Sequence, residues 1–487
     1  MKFRQIIAFS ALACGILYAN AELVTYPAGQ GVPTINDFTI NVRQNGGAWQ
    51  PVVSYPVKVD EVIGAKHSTS VASMAYFDFD GPVDVEVISH REPVKSARIR
   101  PLSYDLKPEV CGDTLRFTLD RPRNLSVEVN GDIFHNLHLF ANPLDTHRPS
   151  AKEIKLAQKG KNRKLIYFGP GVHRLPGDTL RVASGQTVYV DGGARVYGQL
   201  IADGVNDVRF YGRGEIHPEG RGEGIYIKRS KDVDAEGVIV TQIPVGKSDG
   251  VNIDNVKSIS YYGWGDGMNV FASNNVHYNN VFCRNSDDCS TIYATRKGFS
   301  GGCDNILMEN STLWADVAHP IMIGLHGAAT EIGVDAPADT ISNVTYRNID
   351  ILDHKEAQID YQGCMAIVCG DNNIVRDLVF DNIRVEDFRQ GQLFNIRLPF
   401  NLKYCKAPGG KVSDVLFKDI TYNGNNAEMS IIAGYDDDRT VDNITFDNLV
   451  INGVHICDDM PGKPKWYKTG DFARIFIGEH VNNVVFK

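Results

Sequence analysis

The chain lacks a basic excess, a long apolar run after its first residues, zinc-type cysteine spacing and sustained helical periodicity. Each lack removes a class of protein. With a net charge of −9 there is no basic stripe to neutralise phosphates, which argues against nucleic acid or an anionic membrane as partner. No segment beyond the N-terminus is long and apolar enough to span a bilayer. Without Cys-x-x-Cys or a His/Cys cluster, structural zinc is not indicated. The absence of 3.6-residue patterning, with 46 glycines, turns the reading towards an all-β fold. At 487 residues the chain exceeds one ordinary core, so two or three domains or one elongated repeat domain are expected.

What is present begins with an export signal. Residues 1–21 have a cationic start (Lys2, Arg4), an apolar core from Ile6 to Tyr18 and the small-x-small end Ala19-Asn20-Ala21. Cleavage before Glu22 would leave an exported protein, periplasmic or extracellular. Cys14 allows a lipoprotein alternative, although Ala11 is atypical three residues before a lipidated cysteine. Removing Cys14 leaves eight of the nine cysteines in an oxidising compartment. Their pairing cannot be read from the sequence, and free buried thiols with at most one bridge are expected.

Residues 22–150 carry short alternating segments such as "DVEVISH", "TLRFTLD" and "NLSVEVNG", bounded by Gly, Pro, Asp or Asn. Strands at this spacing without helices predict an N-terminal β-sandwich, and "VNGD" at 129–132 predicts a hairpin turn. The polar run 142–164 reads as a connection with room for a short helix.

From residue 151 to 487 a phrase recurs: an Asp, Asn or Ser start, two apolar residues around a polar one, an Asn or Asp, then a second short strand. "NNVHYNNVFCRN", "DNILMENSTLW", "SNVTYRNIDIL" and "DNITFDNLVING" are examples. The first apolar residues of five late copies fall at 306, 344, 378, 415 and 444, at intervals of 29 to 38. A strand-turn-strand unit of this length predicts a right-handed parallel β-helix, in which stacked coils bury what one coil cannot. Asn residues at the turns can form hydrogen-bonded ladders along such a stack. The Leu-x-x-Leu-x-Leu frame of a leucine-rich solenoid and the four-strand blades of a propeller are missing.

Within the helix, Asp266 lies 21 residues before the adjacent pair Asp287 and Asp288. That gap is about one short coil, so Asp266 is expected beside the pair at the inter-strand spacing of roughly 4.8 Å. Adjacent strand residues point to opposite sides, so a strand end or bulge is needed to turn both carboxylates outward. Three packed carboxylates repel and raise at least one pKa, an arrangement stability alone would not select. Glycoside hydrolysis requires it: one carboxyl protonates the leaving oxygen while ionised carboxylates activate water. Solvated turn acids and a calcium site are the alternatives.

At these residues the sequence resembles the β-helical glycoside hydrolases of the clan joining family 28 (polygalacturonases) and family 49 (dextranase and isopullulanase). "GDGMN" with Asp266 and "SDDCS" with Asp287 and Asp288 look like the clan's Asp-Gly and Asp-Asp-Cys motifs. His319 in "AHPIMIG" sits where family 28 has its Gly-His-Gly segment. The resemblance implies inversion, with Asp287 as general acid and Asp266 and Asp288 handling the water. It also implies a polysaccharide substrate and no cofactor or metal. The Arg-x-Lys motif that grips galacturonate is missing from "YQGCMAIVCGDNN" (361–373), although Arg296, Lys297 or Arg397 could substitute. With the N-terminal sandwich and "QLFNIRLP", this leans towards family 49 and a neutral α-glucan such as dextran or pullulan-type chains. A pectin hydrolase, a polysaccharide lyase and a non-catalytic glycan-binding β-helix are the rivals.

Candidate sugar contacts are Trp264, Tyr293, Arg296, Lys297, His319, His326 and Arg397. Trp264 could equally pack a coil corner, His319 could be a satisfied core histidine, and Arg296 and Lys297 could be a solvated loop. A monomer is expected.

Overall fold

A computed structural model describes residues 22–63, 66–220 and 222–487. The expected signal segment lies outside the described residues. Among those residues the N-terminal region forms a six-stranded and a five-stranded sheet. Their facing apolar residues, including Phe38, Val42, Phe77, Val85, Leu115 and Leu139, make one core, as alternating strands with one apolar face demand. The turn at "VNGD" forms, with Asn130 and Gly131 at positive φ and Asp132 N–H donating to Val129 O at 3.0 Å. The next strand begins only at Leu137, which pairs with Val127, so the connection is longer than a two-residue hairpin. The polar run after it does contain a short helix, Ala151–Gln158, capped reciprocally by Ser150 and Glu153.

The remainder is the expected right-handed parallel β-helix, a single sheet system of 28 strands among the described residues. Its register reproduces the sequence repeat. Val276, Ile306, Val344, Leu378, Val415, Ile444 and Val484 stand above one another in successive coils. Two residues further along each strand a ring column runs through Tyr346, Phe380, Phe417, Phe446 and Phe486, stacked at 5.6, 4.7, 5.0 and 4.8 Å.

The Asn positions explain the rest of the phrase. Asn275, Asn305 and Asn343 at one corner, and Asn280, Asn310, Asn348 and Asn382 at the next, all have φ between 51° and 56°. Asn tolerates this left-handed conformation better than most side chains. Its amide then bonds along the stack: Asn305 to Asn275 at 2.6 Å, Asn310 to Asn279 at 2.8 Å, and Asn348 to Asn310 at 2.7 Å. All eight cysteines among the described residues are free, and six are buried.

The six-stranded sheet lays its other face on the helix. Phe140 meets Phe282 at 5.3 Å, and Arg213 donates to Asp78 at 2.9 Å. Arg284 is fully buried, paired with Asp316 at 2.9 Å and donating to Asn136 across the interface. Among the described residues no helix is long and apolar enough to cross a membrane.

Candidate active site

The acids sit at one edge of the helix, where chain leaves one parallel face and enters the next. Strand Met268–Phe271 pairs with Ser290–Tyr293, Met268 opposite Ser290, an offset of 22 residues. Gly267 N–H donates to Asp288 O at 2.8 Å, so Asp266 lies against the Asp287–Asp288 turn of the next coil. All three precede a strand, which frees their side chains from the in-out alternation of the sheet. Cys289 N–H donates to His319 O at 2.8 Å, adding the third coil.

Each acid has a distinct environment. Asp288 is buried, and its Oδ1 accepts from His319 N–H at 3.2 Å and lies 2.6 Å from His319 Nδ1. Tyr293 OH donates to its Oδ2 at 3.2 Å. The other ring nitrogen of His319 meets the carbonyl of Tyr361. Asp266 accepts from Asn269 Nδ2 at 2.8 Å. Burial, and then the Asp288 charge, push Asp266 up to about 7. Asp287 accepts the backbone N–H of Asp288 at 3.1 Å. Burial and the charges of Asp288 and Asp266 raise it well above the ordinary carboxylate range. The cluster therefore contains two carboxyls whose ionisation is held back by burial and by neighbouring carboxylate charge. Among the described residues, no group of three or more His, Cys, Asp or Glu side chains has the arrangement of a metal site.

A cleft of about 450 Å³ opens on the acids, and it is lined by Trp264, Tyr293, Arg296, Lys297, His319 and His326. Trp264 is 58% exposed and holds φ +65°. Tyr293 stacks on Phe271 at 6.1 Å, and His326 stands edge-on to Tyr293 at 4.8 Å. Burial pushes His326 down to about 3, so it is neutral. Arg296 pairs with Glu331 at 3.1 Å and Lys297 with Glu223 at 3.7 Å. Arg397 is not brought into this cleft; its guanidinium turns to Asp360, at 3.1 Å.

Sequence reasoning missed Glu356, Gln358, Lys403 and Tyr404, which complete the wall from later coils and loops. It also missed a contribution from the N-terminal domain. The hairpin of Ser54–Ile63 and Lys66–Phe79 reaches the loop before Asp266. Asp60 Oδ2 accepts Gly263 N–H at 3.0 Å and lies 2.6 Å from His67 Nδ1. The His67 ring in turn packs 5.6 Å from Trp264.

No protein-family model matches the sequence, and no curated protein matches it. Among solved structures, Dex49A from Penicillium minioluteum is similar over 95% of this chain and 96% of its own, at 12% identity and a TM-score of 0.60. A family 28 exopolygalacturonase of Yersinia enterocolitica is 11% identical over 82% of this chain and 96% of its own, with a TM-score of 0.48. The catalytic unit of a thermostable GH87 α-1,3-glucanase from Streptomyces thermodiastaticus strain HF3-3 is 12% identical over 95% of this chain and 86% of its own, with a TM-score of 0.39. At such identities the likeness is one of fold, and the similarity to Dex49A at a TM-score of 0.60 bears out the expected β-helix.

Proposed function

We propose that the protein is an exported glycoside hydrolase that cleaves a polysaccharide with inversion. The observation that carries this reading is the meeting of Asp266, Asp287 and Asp288 from adjacent coils in one cleft, with Asp287 and Asp266 both raised. Asp287, which holds its proton most firmly, is the general acid and protonates the glycosidic oxygen as the bond breaks. Asp266, once ionised, takes a proton from water approaching the opposite face of the sugar, with Asp288 positioning that water. Asp288 is itself held by His319 and Tyr293, which makes His319 a positioning residue. Trp264, exposed at the cleft, supplies a ring face for the sugar, while Tyr293 is buried beneath the acids and holds Asp288.

The substrate we infer is a neutral α-glucan such as dextran or a pullulan-type chain. Arg296 and Lys297 are engaged by protein carboxylates, which supports an uncharged sugar. Lys403 favours a second reading, a pectin hydrolase. It lines the cleft, bonds the Gln358 amide and lies 4.6 Å from the Tyr404 ring.

Incubation with dextran, pullulan and polygalacturonate, followed by chromatography and NMR of the first-formed anomer, tests both. An α-glucan product of inverted configuration is expected. Asp287→Asn should remove hydrolysis, by at least about a hundredfold as for loss of a general acid, and leave the unfolding midpoint in place or raised. Full activity in that variant would sink the assignment. An unsaturated product absorbing in the ultraviolet would make the protein a lyase, and binding without new reducing ends would make it a lectin-like module.

A further inference from the structure

A second cleft, of about 470 Å³, opens where the N-terminal hairpin meets the helix. Val57, Lys58 and Val71 form its hairpin wall, and Tyr197, His217 and Tyr261 its helix wall. Its charges balance. Arg195 is paired with Glu215 at 2.8 Å, Glu219 with Arg174 at 2.6 Å, and Lys58 lies 4.9 Å over the Tyr261 ring. His217 stands edge-on to Tyr197 at 5.0 Å, and burial holds it below its ordinary value. Ring faces, apolar walls and paired charges suit an uncharged, polyhydroxylated ligand better than an ion.

This cleft lies on the same edge of the helix as the acids. Glu215 pairs with Ile239, Ile239 with Lys257, and Lys257 with Phe282. The ends of these strands, at His217, Val240, Ile259 and Asn285, climb one coil at a time, roughly 4.8 Å per step. One loop joins the two clefts: Tyr261 lines the second and Trp264 the first. Between them Tyr262 stands edge-on to Tyr261 at 5.9 Å, and Tyr262 and Trp264 are 56% and 58% exposed. These exposed side chains, two residues apart on the loop, place aromatic rings in the span between the clefts.

We propose that the interdomain cleft binds a distal stretch of the same glycan whose reacting bond lies among the three acids, with Tyr261, Tyr262 and Trp264 as the path between. This rests on the hydrolase reading above and adds to it the N-terminal domain as part of the binding surface. Its consequence is a preference for long chains over short ones.

The test uses the whole protein carrying Asp287→Asn, so that glycans bind without turnover. The probes are immobilised dextran, pullulan and polygalacturonate, each beside its trimer: isomaltotriose, maltotriose and trigalacturonate. Adding Tyr197→Ala, a half-buried residue of the second cleft, should weaken long chains roughly three- to tenfold relative to trimers. Tyr197→Phe keeps the ring and should restore the preference, and thermal unfolding checks that each variant is folded. An unchanged ratio of long-chain to trimer affinity in Tyr197→Ala overturns this inference alone. Failure to bind any probe, with no hydrolysis by the unmodified protein, overturns the hydrolase reading and this inference with it.

Discussion

Asp266→Asn reads the electrostatics of the acid cluster without any substrate. In the unfolded chain this carboxyl ionises near its ordinary value of 3.8, whereas in the folded protein it keeps its proton up to about 7. The folded state therefore binds more protons across that window, and the group's contribution to stability is lost as pH rises through it. About three units at roughly 1.4 kcal/mol each cap the loss at about 4 kcal/mol. Water reaching the partly exposed side chain screens part of this, leaving about 2 kcal/mol as the working expectation. Asparagine keeps the size of the side chain and can still accept from Asn269, but it carries no proton to lose. The variant should match the unmodified protein at pH 4 and exceed it by about 2 kcal/mol at pH 8. Urea unfolding at unit steps from pH 4 to 8 measures the difference, and other titrating groups cancel to first order. A difference that stays flat across the series would refute the reasoning, because a solvated turn acid gives that result.

The same shift has a catalytic counterpart: kcat/KM should rise as pH passes about 7 and Asp266 ionises, then fall where Asp287 loses its proton. A rate that is flat from pH 5 to 8 would remove Asp266 from the role of base. In the Asn column, Asn310 holds φ 53°, donates to Asn279 and accepts from Asn348. Asn310→Ala loses both bonds and strains the turn, for about 2–4 kcal/mol, whereas Asn310→Gly loses the bonds alone, for about 1–2 kcal/mol. Equal unfolding midpoints for the two would show that the left-handed turn carries no strain. At the domain interface, Arg284→Met removes the partner at 2.9 Å from Asp316 and leaves it only Arg389, at 3.8 Å. The expected loss is about 3–5 kcal/mol by chemical denaturation, and it should shrink when Asp316→Leu is added.

Two features of the sequence carried most of the architecture, and both are repetitive. Asn280, Asn310, Asn348 and Asn382 recur because each coil must turn the same corner at positive φ, so local chemistry repeats with the coil. The spacing of Asp266 and Asp288 was legible for the same reason: 22 residues is the offset between the strands they precede. Side chains that arrive from insertions obey no period. Arg397 ends a strand on the correct face of the helix yet turns to Asp360, and Lys403 enters the cleft from a loop of irregular length. Nothing in either segment distinguishes the two outcomes.

The contact between the domains was hidden differently, because its signal was present but unread. A sandwich strand with one face on its own core alternates apolar and polar residues. In Lys66–Phe79 the first half is largely exposed, but from Ala72 to Phe79 every residue is buried, on both faces. One face, with Phe77 and Phe79, belongs to the sandwich core. The other, with Ala72, Met74 and Tyr76, joins Ile239, Ile259 and Phe282 of the helix. A stretch buried on both faces, with Ser73 and Asp78 its only polar residues, requires a second packing partner in an otherwise alternating domain, and here that partner is the helix face next to the acid edge. The exposed first half of the same strand then extends past that face to place His67 against Trp264. The hairpin that packs the domains together therefore also backs Trp264, a lining residue of the cleft on the acids, through His67.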